Sequence, residues 1–97
     1  TTGSALRLAG AINYSLNIYP NPVSDHAVYF NIDGLEQDKE ALTYIYNLLG
    51  TKIYSDKINY SHGEVQINLD DRFVNGIYFL NVIMDDKKLY RKFVVTR

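Results

Sequence analysis

Seven short apolar runs, each closed by turn-forming residues, constrain the fold of this chain more than any other feature. They are Leu16–Tyr19, Ala27–Ile32, Leu42–Asn47, Lys52–Lys57, Glu64–Leu69, Ile77–Met84 and Leu89–Thr96, with centres about ten residues apart. Runs of this length and rhythm are too short for helices and match the strands of a sandwich. Ile, Leu, Val and Tyr fill most of them, and the nine tyrosines strengthen the reading, because branched and aromatic side chains fit a pleated surface. The expected class is all-β.

A chain of 97 residues, 46% hydrophobic and 22% charged, holds one core and buries roughly two-thirds of the surface its unfolded form exposes. Ten basic and 11 acidic residues give a formal net charge of −1, so no uniform field gathers anionic lipid, and no nucleic-acid partner is expected. The lack of cysteine removes disulfides, thiolate zinc sites and thiol nucleophiles. No run approaches the roughly 20 apolar residues of a membrane-spanning helix. Thr1 to Ala5 form no charged-then-apolar leader, and Thr1 is not an initiator methionine. The chain is therefore expected to be a piece of a longer protein whose targeting signal lies upstream. Residues 1–13, small and weakly patterned, read as a flexible linker, and residues 14–97 as the folded domain.

The turns carry their own chemistry. Asn47 to Lys52, "NLLGTK", is a tight reversal in which Gly50 supplies φ > 0, so the third and fourth runs pair as a hairpin. Met84 to Lys88, "MDDKK", is a second reversal. Asn31 to Glu40 holds Asp33-Gly34 and then four charges in five residues, which predicts a surface loop, with a helical turn as the alternative. In the sixth run, alternation places Tyr78, Leu80, Val82 and Met84 on one face and Ile77, Phe79, Asn81 and Ile83 on the other. Both faces are largely apolar, so this strand belongs near the middle of a sheet or has its outer face covered. In the seventh, Phe93 and Val95 lie opposite Tyr90, Lys92 and Val94, as in a half-exposed strand.

Both prolines fall in "YPNPVSD", Tyr19 to Asp25. Pro20 and Pro22 lack backbone donors and fix φ, so the segment cannot continue a ladder; it ends the first strand and aims the chain onward. Asn21, Ser24 and Asp25 are suited to bonding nearby backbone in this corner.

Catalytic patterns are absent. His26 and His62 stand apart in turn-like surroundings without metal-ligand spacing, and there is no G-x-S-x-G elbow. Asp70-Asp71 and Asp85-Asp86 lack the spacing of a calcium loop, and the six glycines never cluster into a phosphate loop. No cofactor, metal or enzymatic activity is expected. Tyr44, Tyr46, Tyr54, Tyr60 and Tyr90 cannot all be core, and an outward aromatic platform would suit sugar or protein.

Three stretches in order, "YPNPVSD" at 19–25, "IYNLLGTKIY" at 45–54 and "VNGIYFLNV" at 74–82, are followed by the closing "RKFVVTR". Together they resemble the type A C-terminal sorting domain of the bacterial type IX secretion system. The matching positions are Tyr19, Pro20, Asn21 and Pro22; Tyr46, Asn47, Leu48, Leu49 and Gly50; Gly76 and Tyr78; and Arg91, Lys92 and Arg97. Asn47 stands where the family commonly has Asp, and Thr96-Arg97 replace a run of lysines.

The resemblance implies a seven-stranded antiparallel immunoglobulin-like β-sandwich, matching the independent strand count. It also implies an address without chemistry of its own. A cargo domain precedes it in the same chain, the type IX translocon carries both from the periplasm across the outer membrane, and a sortase-like protease removes it. The cargo is then released or attached at the surface. Lys92, Phe93, Val94, Val95 and Arg97 on the terminal strand are the expected translocon contacts, through an open edge or the apolar outer face. The open edge would also allow an edge-strand dimer. Gly3, Ser4 and Ala5 mark the expected cleavage region, and Tyr78 is assigned to a folding role as a tyrosine corner. The rival expectation is an immunoglobulin-like carbohydrate- or protein-binding adhesin module that stays attached.

Overall fold

The computed structural model describes residues 14–35, 37–61, 63–85 and 87–97. Seven strands follow one another: β1 (Ser15–Tyr19), β2 (Ala27–Asp33), β3 (Lys39–Asn47), β4 (Lys52–Tyr60), β5 (Val65–Asn68), β6 (Gly76–Met84) and β7 (Lys87–Val95). They form a three-stranded sheet in the order β1-β2-β5 and a four-stranded sheet in the order β4-β3-β6-β7. Neighbouring strands in both sheets are antiparallel, and no helix occurs among the described residues.

Alternation within each strand builds the core. Leu16, Val28, Phe30 and Ile67 of the first sheet join Ile45, Leu80, Val82 and Phe93 of the second in one buried cluster. Each such side chain contributes about 1.5–3 kcal/mol by leaving water. On β6 the inward set is Tyr78, Leu80, Val82 and Met84, while Ile77, Phe79, Asn81 and Ile83 are half-buried. That strand lies between β3 and β7, as its two apolar faces require. Thr43, buried on β3, leaves its hydroxyl without a hydrogen-bond partner.

The expected loop from Asn31 to Glu40 shortens at both ends. Asn31, Ile32 and Asp33 continue β2 because Ile32 keeps the inward phase of Val28 and Phe30, and Asp33 pairs with Ser15. Lys39 and Glu40 already belong to β3, opposite Tyr60 and Asn59. Leu35, between the two strands, is buried in the core instead of lying on the surface. The fourth run likewise reaches Tyr60, whose hydroxyl donates to the Gly63 carbonyl at 2.8 Å and accepts the Ile32 N–H at 2.9 Å. Hydroxyl satisfaction lets this tyrosine be buried, and its ring lies parallel to that of Phe30.

The β3–β4 hairpin forms where the sequence places it. Gly50 has φ +87°, and a Cβ there would meet nothing within 4 Å. Backbone conformation, not space, therefore demands glycine. Asn47 Oδ1 accepts the Leu49 and Thr51 N–H groups at 3.0 and 2.9 Å. Aspartate offers the same acceptor, so the departure at this position preserves the turn.

Candidate functional site

Strand ends sort into two poles. Ser15 pairs with Asp33, Lys39 with Tyr60 and Met84 with Lys87 at one end. At the other, Tyr19 pairs with Tyr29, Asn47 with Tyr78 and Gly76 with Val95. The chain leaves residue 14 at the first pole, and Arg97 lies at the second. The second pole therefore gathers the proline corner, the hairpin tip, the entry to β6 and the end of β7, stretches that lie far apart in sequence.

The proline corner does more than end β1. Both Tyr19–Pro20 and Asn21–Pro22 peptides are cis. Beyond them Val23, fully buried, forms a parallel bridge to Val95. Its N–H donates to the Val94 carbonyl at 2.7 Å, and its carbonyl accepts the Thr96 N–H at 2.8 Å. Asn21 extends the seam: its amide nitrogen donates to the Lys92 carbonyl at 3.3 Å, and its oxygen accepts the Val94 N–H at 3.0 Å. The expected role of Asn21, bonding backbone within its own corner, is corrected. It supplies the side-chain equivalent of a strand on the outer edge of β7. Asp25 does act locally, accepting the His26 N–H at 2.8 Å.

Tyr78 forms the expected corner. Its hydroxyl donates to the Val74 carbonyl at 2.7 Å, and its ring packs between Phe73 and Phe93. Burial pushes the phenol above its usual range. Asn75 and Arg97 exchange backbone contacts: the Arg97 N–H donates to Asn75 Oδ1 at 2.7 Å, and the Asn75 amide donates to the Arg97 carbonyl at 3.3 Å. The Arg97 guanidinium reaches the Leu69 and Asp70 carbonyls at 3.4 and 3.3 Å.

These contacts divide the expected translocon set. Phe93 and Val95 are fully buried and face the core, so a receptor touching the folded domain cannot reach them. Val94 is half-buried with its backbone groups taken by Asn21 and Val23. Lys92 is exposed, and Arg97 is exposed while bound to its own chain. The outer edge of β7 is thus occupied from the Lys92 carbonyl to the Thr96 N–H. Gly3, Ser4, Ala5 and His62 lie outside the described residues. Asn75 and Val23 were not singled out by sequence; an apolar residue directly after two prolines was the available signal for Val23.

Electrostatics elsewhere are local. Asp70 is engaged by Arg72 at 3.0 Å, and that guanidinium holds its carboxyl below the usual range. Asp85 pairs with Lys39 at 2.9 Å. Among the described residues no group of three or more His, Cys, Asp or Glu could hold a metal ion, and no helix is long and apolar enough to cross a membrane.

Fold and site define an all-β sandwich whose final strand is pinned by its own entry segment. The sequence profile of the family described as "Secretion system C-terminal sorting domain" matches residues 17–96. The chain belongs to that family and is a C-terminal secretion signal of type IX secretion, which implies export to the cell surface or release. It is also 34% identical over 77 residues to "Ulvan lyase NLR42" of Nonlabens ulvanivorans. That match covers 79% of this chain and 13% of the lyase.

Proposed function

We propose that the domain is a folded, non-catalytic address of immunoglobulin-like topology, read at the pole where its motifs meet. The observation that carries this reading is the seam of Asn21 and Val23 on β7. It explains physically why the proline motif and the terminal strand occur together: each completes the other's hydrogen bonds. Sheet orders β1-β2-β5 and β4-β3-β6-β7, with a corner tyrosine at the start of β6, support the immunoglobulin-like assignment.

In this reading a cargo domain precedes residue 1 and reaches the periplasm by its own leader. The type IX translocon grips the domain, with Lys92 and Arg97 the exposed members of the terminal-strand set. A sortase-like protease then cuts in residues 1–13, near Gly3, Ser4 or Ala5, since cleavage needs an extended, accessible chain. The cargo is anchored or released.

The test fuses the 97-residue chain to a reporter with a signal peptide, in a host possessing the secretion system. The reporter should reach the surface or medium shorter by about the 11.1 kDa of the chain. Deleting Leu89 to Arg97 should hold it in the periplasm, and normal delivery of that deletion would refute the reading. Delivery with the chain still attached would favour the adhesin alternative.

A further inference from the structure

The two outer faces of the sandwich differ in kind. On the three-stranded sheet the outward polar groups bond one another. Asn17 donates to Asn31 and Asp33 at 2.8 and 2.9 Å, and the Tyr19 hydroxyl donates to Glu64 at 2.7 Å. Apart from the stacked rings of Tyr19 and Tyr29, that face is polar, and its amide and carboxylate groups bond within it.

On the four-stranded sheet, residues directly opposite in register share a face. One row reads Lys52, Tyr46, Phe79, Lys92 across β4, β3, β6 and β7. The next brings Tyr44, Asn81 and Tyr90 together, and the row beyond is again ended by lysines, Lys57 and Lys88. Tyr90 and Leu48 are 67% and 65% exposed. Between them lies a shallow hollow of about 540 Å³ whose lining contains no charged residue. Glu40, the one carboxylate on these strand faces among the described residues, lies toward the far pole and pairs with Lys57. In the first row an aromatic pair lies between Lys52 and Lys92, neither of which forms an ion pair among the described residues.

We propose that this outer face docks a protein whose contact surface presents apolar side chains flanked by carboxylates. The lysines of the first row set the spacing, three strand intervals or about 14 Å between their backbone positions. A glycan fits less well. Asn47 has committed its oxygen to the hairpin and the Asn81 amide nitrogen donates to the Phe79 carbonyl at 3.5 Å, so the hollow keeps half of each amide for sugar hydroxyls. The Tyr44 ring is covered by the Lys52 ammonium at 4.7 Å, and aliphatic Leu48 offers nothing to hydroxyls. The inference rests on the export role, since the partner would belong to the export machinery.

The experiment uses the reporter carrying the full chain, so the unaltered chain tests the export role and the variants test the face. Combined Lys52→Glu and Lys92→Glu should lower surface delivery about tenfold or more, whereas combined Lys52→Arg and Lys92→Arg should stay within about twofold. Gln66→Glu on the other sheet should also stay within about twofold. Melting of the purified chain shows whether the double reversal remains folded; if it does not, Tyr90→Ser carries the same expected loss. A photocrosslinker, p-benzoylphenylalanine, placed at Tyr90 should give an adduct that proteinase destroys, that periodate spares and that the reversal abolishes. Undiminished delivery of a folded reversal, or an adduct lost to periodate alone, would overturn the docking face and leave export intact. Failure of the unaltered chain to be delivered would instead overturn the export role.

Discussion

Tyr78 shows how much one hydroxyl can hold. Its bond to Val74 fixes the loop before β6, and replacing it, Tyr78→Phe, should cost about 1–2 kcal/mol, read as a lower denaturation midpoint. The folded-state proton affinity of this phenol is raised by burial, so the domain binds that proton more tightly folded than unfolded. Stability should therefore hold below about pH 10 and fall as pH rises through the folded-state value, with less decline in Tyr78→Phe. Tyr54, raised by burial and Asp56, and Tyr19, raised chiefly by its bond to Glu64, act in the same direction. Thr43 points the other way. Its unpartnered buried hydroxyl should make Thr43→Val more stable by about 1 kcal/mol in chemical denaturation. Tyr78 was legible from its place after Val74-Asn75-Gly76. The state of the Thr43 hydroxyl was not, because it depends on what packs over β3.

Between elements, the decisive contact is the seam on β7. Asn21→Ala removes one donor and one acceptor from that edge and should cost about 1 kcal/mol. Its signature is faster hydrogen exchange at Val94, bound to Asn21 itself, and then at Thr96, bound to Val23. Unchanged exchange at both amides would show that the seam holds nothing. The sealing also redirects any edge pairing. From the Lys92 carbonyl to the Thr96 N–H the outer groups of β7 are taken, which leaves β1, β4, β5 and the first half of β7 as the edges for an edge-strand dimer. Strand number, the two hairpins and the double apolar character of β6 were readable from alternation and turn residues. The loop from Asn31 to Glu40 differs from its expected bounds because its charges masked the strand character of Asp33, Lys39 and Glu40 and the burial of Leu35.

Across the whole molecule, residue 14 and Arg97 lie at opposite poles, with the family motifs near the second. A stable domain fused after Arg97 should therefore impair export, while the same domain placed before Thr1 should not, as measured by surface delivery of a reporter. The contrast between the outer faces has the same scale. One sheet bonds its polar groups to each other, and the other leaves Tyr46, Phe79 and Tyr90 between lysines.

The sequence by itself determined the class, the strand rhythm, the turns and the family, because period-two alternation and turn chemistry depend on residues a few positions apart. Tertiary structure alone decided that Asn21 serves β7 and that Arg97 is tied to Asn75. Those contacts join groups 71, 73 and 22 residues apart. Which edges lie side by side is settled only when both sheets have closed on one core, and no local pattern encodes it.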